Sequence, residues 1–265
     1  MELGLDGKTA IITGGGEGIG FAAAARIAQE GGNVVIVGRR KDVLEKAAQR
    51  ITAAHRGRVL AFDQDITAKG AAGRIVDAAV SAFGGVDILV NNAGISLAKP
   101  FDAVSQDEWE ADFDLKLWAA IHLVRAALPP MRQAGGGRII NVTNLDGRTP
   151  RAGKMPTSIS RAAGIAFTKG LSHDLAADNI LVNTVCIGFI KSGQHERRFE
   201  SASGPDAPRT LDEHYAREAD KRGVPLGRVG EGAEAGDVIA FLASERASYI
   251  TGVAINIDGG ACLVV

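Results

Sequence analysis

The stretch TGGGEGIG, Thr13 to Gly20, decides the fold. It follows at once on the apolar run TAIIT, Thr9 to Thr13, and opens a segment of helical composition, FAAAARIA, from Phe21. Glycines at 14, 18 and 20 let the backbone turn sharply and come close to a bound group. A helix that starts directly after such a turn presents free N–H groups and the positive end of its dipole, which together suit a phosphate. A glycine cluster alone also fits a plain tight turn; strand before and helix after, on the first unit of the chain, make the phosphate reading specific.

Working outward, short β-branched runs recur: NVVIVG from Asn33, RVLAFD from Arg58, VDILVNNAG from Val86, RIINVT from Arg138, ILVNTVCIG from Ile180 and VAINID from Val253. They alternate little, as strands covered on both faces do. Between them, Lys41 to His55 carries Val43, Leu44, Ala47, Ala48 and Ile51 on one face, and Arg74 to Phe83 does likewise with Ile75, Ala78, Ala79 and Ala82. Strand alternating with helix predicts an α/β, doubly wound domain on a parallel sheet, one domain over residues 1–265 with no repeat or linker.

Ser105 to Ala134 reads as one long helix, with Ser105 and Glu108 at capping-box spacing and the glycines at 135–137 closing it. Trp109, Phe113, Leu117, Ala120 and Val124 are its expected buried stripe, with Lys116 near the middle. A second long helix is expected from Thr157 to Ala177, while from Lys191 to Gly223 the pattern dissolves into charged and small residues.

Composition narrows the function. The chain has 34 glycines in 265 residues, close to twice the usual share of ~7%. Its 30 basic and 31 acidic side chains argue against nucleic acid or an anionic membrane as partner. No leader pattern opens the chain and no run approaches the ~18 apolar residues of a membrane span. Two cysteines, Cys186 and Cys262, make no disulfide framework, so a cytoplasmic protein is expected. The histidines at 55, 122, 173, 195 and 214 lack metal-ligand spacing, and no metal is expected.

With NNAG at Asn91 to Gly94 and ASYITGVAINIDGG ending at Gly260, the glycine turn resembles the short-chain dehydrogenase/reductase family over essentially the whole chain. The resemblance implies a Rossmann-type domain with a seven-stranded parallel sheet, a nicotinamide dinucleotide, a small-molecule substrate and a homotetramer or dimer. By resemblance, Gly14, Glu17, Gly18, Ile19 and Gly20 surround the pyrophosphate, and Asp65 with Ile66 holds the adenine. Asn92, Ala93 and Gly94 then lie beside the cofactor, Gly188, Ile190 and Ser192 near its nicotinamide end, and residues 191–223 form a substrate lid.

An acid ending the second strand would hold the ribose hydroxyls of NAD and repel the extra phosphate of NADP. Gly38 stands in that place and Arg39, Arg40 and Lys41 follow, which favours NADP; Glu17, in the turn, counts against it.

The family's proton machinery is a tyrosine, a lysine four residues on, a serine thirteen residues before and an asparagine in the preceding long helix. Local spacing puts Thr157, Arg161, Asn144 and Lys116 at these places, so all four differ. Neither tyrosine of the chain, Tyr215 or Tyr249, falls where it can substitute. Arginine stays charged and an aliphatic hydroxyl is far less acidic than a phenol, so Thr157 is a poor proton donor by itself, though Arg161 can still hold the ribose. Lys116 on an apolar stripe pays desolvation, which lowers its pKa toward a usable acid; the plainer alternative is that it snorkels or pairs with Asp112. Lys154 is within reach of Thr157, and Cys186 reads as a small buried hydrophobe. Two functions follow: an NADP(H)-dependent oxidoreductase on a small carbonyl or alcohol with a rewired proton-transfer site, or a dinucleotide-binding protein of the same fold with little turnover, acting as sensor or assembly partner.

Overall fold

The computed structural model describes residues 2–201, 204 and 207–264; Met1, Val265 and residues 202, 203, 205 and 206 of the expected lid lie outside the described residues. The chain runs β1 (Thr9–Thr13), α1 (Gly18–Gln29), β2 (Asn33–Gly38), α2 (Lys41–Ala54), β3 (Val59–Asp63), α3 (Ala71–Phe83) and β4 (Ile88–Asn91). After the two-residue β5 (Ala98–Lys99) come α4 (Gln106–Phe113), α5 (Ala119–Gln133), β6 (Gly137–Asn144), the two-residue β7 (Met155–Pro156) and α6 (Thr157–Asp174). It ends with β8 (Ile180–Ile187), α7 (Gly193–Glu200), α8 (Leu211–Lys221), α9 (Gly232–Ala243) and β9 (Ala254–Ile257).

Seven strands form one parallel sheet in the order β3-β2-β1-β4-β6-β8-β9. The order reverses between β1 and β4, and the crevice beyond the carboxyl ends of those strands is where such sheets take ligands. Successive β1 residues face opposite layers: Ala10 and Ile12 join α1, α2 and α9, whereas Ile11 joins α3, α5 and α6. Both layers are built mainly on apolar side chains, which is why the strands read as near-continuous runs.

The expected helix from Ser105 to Ala134 is present with its capping box, but a single turn of π-helix, Asp114 to Trp118, separates α4 from α5. The buried line is therefore Asp112, Lys116, Ala119, Leu123 and Ala127, while Trp109, Phe113, Leu117 and Ala120 stay half-buried. The wider turn inserts one residue into the periodicity, and this displaced the stripe expected from a strict 3.6-residue count. The segment from Lys191 to Gly223 is also more regular than its sequence suggests. It holds α7 and α8, the latter capped by the Thr210 side chain, around a small cluster of Phe189, Tyr215, Ala219, Val224 and Val229. Their polar faces dominate the composition and hide the helical period.

Candidate active site

The glycine turn is fixed from behind by the loop after β4. Thr13 Oγ1 accepts hydrogen bonds from the backbone of Asn92 (2.9 Å) and Ala93 (3.0 Å), and Asn92 Nδ2 donates to the carbonyls of Thr13 (2.9 Å) and Gly14 (3.2 Å). Gly14 and Gly18 take φ of +66° and +57°, and a Cβ at Gly20 would lie 2.3 Å from the Gly14 carbonyl oxygen and 2.5 Å from Asn92 Nδ2. With no side-chain cap on α1, its first-turn amides stay available at the crevice. These residues fit the pyrophosphate of a dinucleotide.

Around that turn, Glu17 Oε2 accepts from Arg40 Nη2 (2.8 Å) and from Arg197 Nη1 (3.4 Å) on α7. The carboxyl lies below its usual range: the two guanidinium groups together outweigh burial, which pushes the other way. Arg39 is exposed at the end of β2. Asp65 Oδ1 accepts from the Thr67 backbone (2.9 Å) and hydroxyl (2.8 Å), which lowers its pKa, and Ile66 is buried in the layer of α3 and α5. Ile19 packs half-buried on the opposite layer. Gly188 ends β8 against Asp258, Ile190 forms a bridge with Gly230, and Ser192 lies beside Gly18.

The four positions of the family's proton machinery do not all meet. Lys116 and Thr157 do: the π-turn swings Lys116 inward, where its Nζ donates to Thr157 Oγ1 at 2.7 Å and to Asp112 Oδ1 in a short ion pair one helical turn away. The Lys116 side chain is 0% exposed and that of Asp112 2%. Burial, and then the Arg161 charge, bring the Lys116 pKa down to about 8 against the opposing pull of Asp112. Pairing with Asp112 and contact with Thr157 are thus compatible. Asp112 Oδ2 accepts from Ser160 Oγ at 2.6 Å, so both carboxylate oxygens are engaged.

Thr157 Oγ1 also donates to the Leu97 carbonyl (2.6 Å) and accepts from the Leu97 N–H (3.2 Å), in the strap where β5 pairs with β7. Arg161 donates from Nη1 to the Val142 carbonyl at 2.7 Å, and a Cβ at Gly94 would lie 2.5 Å from its Nη2. Burial lowers its pKa to about 10, which leaves it a cation at neutral pH. Arg161 Nε and Asn144 Oδ1 are enclosed without a protein partner among the described residues, a donor and an acceptor that a ribose and a substrate can use. Asn144, at the end of β6, makes no hydrogen bond to Thr157, Arg161 or Lys116. Lys154 makes none to Thr157 or Lys116 either. The Cys186 thiol sits 3.3 Å from Thr143 Oγ1 and burial pushes its pKa up, opposite to an activated nucleophile.

Ser160 and Leu97 escaped the sequence reading, and Arg197 counted there only among the charged residues of the 191–223 segment. Ser160 carried a signal, three residues after Thr157 on the same helix face; the pairings of Leu97 with Thr157 and of Arg197 with Glu17 span 60 and 180 residues and carried none. Beneath, Asn91 donates to Asn141, Asn141 to Thr168, and Thr168 meets Thr184 at 2.6 Å, so the sheet under the site is tied by polar groups rather than packed. Over it, the His195 ring lies 4.0 Å from that of Phe189, and burial, then Arg198 and Arg222, hold His195 neutral with a pKa near 4. Among the described residues no group of three His, Cys, Asp or Glu side chains can hold a metal, and no helix is long and apolar enough to cross a membrane.

A doubly wound parallel sheet with a glycine turn entering a helix at its switch point defines a Rossmann-type dinucleotide-binding protein. The model of the short chain dehydrogenase family matches residues 8–202, and the chain belongs to the short-chain dehydrogenase/reductase family of oxidoreductases. It is 33% identical over 260 residues to 3-oxoacyl-[acyl-carrier-protein] reductase FabG of Aquifex aeolicus, covering 98% of this chain and 99% of the relative. Among solved structures it resembles L-sorbose reductase from Gluconobacter frateurii complexed with NADPH and L-sorbose, with TM-score 0.94, 32% identity and 100% of both chains covered. It also resembles the NADPH-bound short chain oxidoreductase from Pseudomonas aeruginosa PAO1 containing an atypical catalytic center, with TM-score 0.90, 29% identity, and 97% of this chain and 98% of that one covered.

Proposed function

We propose that the protein is an NADP(H)-dependent oxidoreductase acting on a small carbonyl or alcohol, with Lys116 as the proton source in place of the family's tyrosine. One observation carries this reading: a fully buried ammonium with pKa about 8 donating at 2.7 Å to the hydroxyl in the tyrosine's place. NADPH in both solved relatives, and Arg39 and Arg40 after β2, support NADP over NAD.

When bound, the dinucleotide supplies or takes up the hydride. The backbone of Gly14, Glu17, Gly18, Ile19 and Gly20, braced by Asn92 and Ala93, would hold its pyrophosphate; Arg39, Asp65 and Ile66 would bound the adenosine; and Gly94, Arg161, Gly188, Ile190 and Ser192 would lie along the nicotinamide half. In reduction, Thr157 turns its hydroxyl from the Leu97 carbonyl to the substrate oxygen, passes its proton, and takes one from the Lys116 ammonium. Asp112 and Ser160 hold Lys116 in line, Asn144 faces the substrate, and Arg161 anchors the ribose hydroxyls. In oxidation the same path runs backward onto neutral Lys116. This reading takes residues 1–265 as one domain, 191–223 as the substrate lid, a cytoplasmic setting and an assembly of two or four copies, for which exposed Trp118, Ile159 and Tyr249 offer apolar contact.

A second reading, a dinucleotide-binding sensor or assembly partner without turnover, has one observation in its favour: Leu97 already occupies both the donor and an acceptor position of the Thr157 hydroxyl, which is 2% exposed. Titration of NADPH and NADH by fluorescence, followed by a panel of carbonyls and alcohols at high enzyme concentration, separates the two. Absence of dinucleotide binding at millimolar levels defeats both, and tight binding with no turnover favours the second.

A further inference from the structure

The Glu17 carboxylate, in the glycine turn, pairs with Arg40 at the start of α2, two residues beyond the end of the second strand, the region in which a Rossmann protein that prefers NADP carries an arginine for the adenosine 2′-phosphate. It is held there by two guanidinium groups from different parts of the chain, Arg40 at 2.8 Å and Arg197 at 3.4 Å. Arg197 belongs to α7, whose first residue, Gly193, packs on Glu17, while Ser192 packs on Gly18. One end of the lid is therefore seated on the glycine turn through this ion cluster. Arg39 lies alongside, exposed.

We propose that Glu17 is an internal stand-in for the 2′-phosphate and that Arg197, from the lid, is a second ligand of that phosphate, so that cofactor choice and lid seating share one ion cluster. This rests on the NADP reading above. A phosphate monoester carries about −1.5 to −2 charge at neutral pH and three acceptor oxygens, against one charge and two oxygens on Glu17. It can therefore draw Arg40 and Arg197 away from the carboxylate, whose own charge then opposes it. Glu17 lowers NADP(H) affinity while keeping both arginines in place, and Arg197, seated on Glu17 in this structure, transfers to the 2′-phosphate and holds α7 more firmly when that phosphate is present. All three side chains are partly solvated, so each substitution acts through several-fold changes in affinity rather than through the fold.

The test is titration of the full-length protein with NADPH, NADH, adenosine 2′,5′-bisphosphate and adenosine 5′-monophosphate at low and high salt, for wild type, Glu17→Gln and Arg197→Gln. Glu17→Gln is expected to tighten NADPH and the bisphosphate about three- to tenfold, more at low salt, and to leave NADH and the monophosphate within about twofold. Arg197→Gln is expected to weaken the two 2′-phosphorylated ligands by a similar factor and to spare the others. Hydrogen exchange over residues 193–201 should slow with the bisphosphate and not with the monophosphate. The proposal is overturned if Glu17→Gln weakens NADH, which would make Glu17 a ribose-hydroxyl acceptor, or if Arg197→Gln moves all four ligands equally. The NADPH-to-NADH ratio of the wild type judges the cofactor reading by itself; the changes in that ratio judge the roles of Glu17 and Arg197.

Discussion

Replacing Lys116 with methionine separates what the buried ion pair does for the fold from what it does for chemistry. Methionine fills most of the same volume and removes the charge, leaving the Asp112 carboxylate 2% exposed with its Ser160 hydrogen bond but no cation against it. Leaving one partner of a buried pair uncompensated costs about 3–5 kcal/mol. The Arg161 charge acts on Asp112 as well, so the low end, about 3 kcal/mol, is expected. For a chain of this length that lowers Tm by roughly 6–12 °C at neutral pH. Adding Asp112→Leu removes the stranded charge and should return stability to within about 1 kcal/mol of wild type. Turnover should not return: without its proton source the double variant, like the single one, stays about 100- to 10,000-fold below wild type. Thermal unfolding and steady-state rates on the three proteins decide the matter. An unchanged Tm in the single variant refutes the buried pair, and wild-type turnover in the double variant refutes Lys116 as the proton donor.

Other expectations follow from the same geometry. Thr157→Val should leave dinucleotide affinity near wild type and cut kcat about 100-fold or more, since it keeps the shape and removes the hydroxyl that links Lys116 to substrate; equal loss in KM alone would place Thr157 outside proton transfer. Carbonyl reduction should fall with rising pH above about 8, where Lys116 loses its proton, and alcohol oxidation should rise through the same range, with both dependences absent in Lys116→Met. Stability has its own sign: the native Lys116 pKa of about 8 lies below the ordinary lysine value of 10.5, so the unfolded chain binds more protons between these limits and this group's contribution to stability increases with pH there, a slope that denaturant titrations of wild type and Lys116→Met can compare. Gly20→Ala sets a Cβ 2.3 Å from the Gly14 carbonyl and should weaken NADPH binding by roughly 1–3 kcal/mol, measured by fluorescence titration, with Thr157 and Lys116 untouched.

The sheet and the glycine turn were legible in the sequence because each rests on local rules: β-branched runs covered on both faces, and glycines where φ is positive or a side chain has no room. Lys116 was legible as an anomaly, a cation within an apolar helix. Its burial and its pairing with Asp112 were among the readings the sequence allowed; its contact with Thr157 was not, because the π-turn at Asp114 to Trp118 has no local sequence code and shifts the buried line onto Asp112. The partners that define the site, Leu97 on Thr157 and Arg197 on Glu17, meet only through tertiary structure. The helices α7 and α8 were missed for a different reason. α8 buries only Tyr215 and Ala219 and α7 buries no residue, so charge masks their period.

The strap between β5 and β7 bears on how this site can change. Thr157 is pinned beneath Leu97 by two backbone hydrogen bonds, and the interior next to it is filled by Lys116, Asp112 and Ser160. A phenol ring introduced at 157 would have to displace the strap, and a lysine at 161 would surrender the bond to the Val142 carbonyl while leaving Lys116 as a second cation beside it. A single change at 157 or 161 is therefore expected to cost packing or a hydrogen bond that its neighbours do not return. Packing couples residue 157 to the strap at Leu97 and to Asp112, Lys116 and Ser160, so these positions are expected to respond to substitution as a unit.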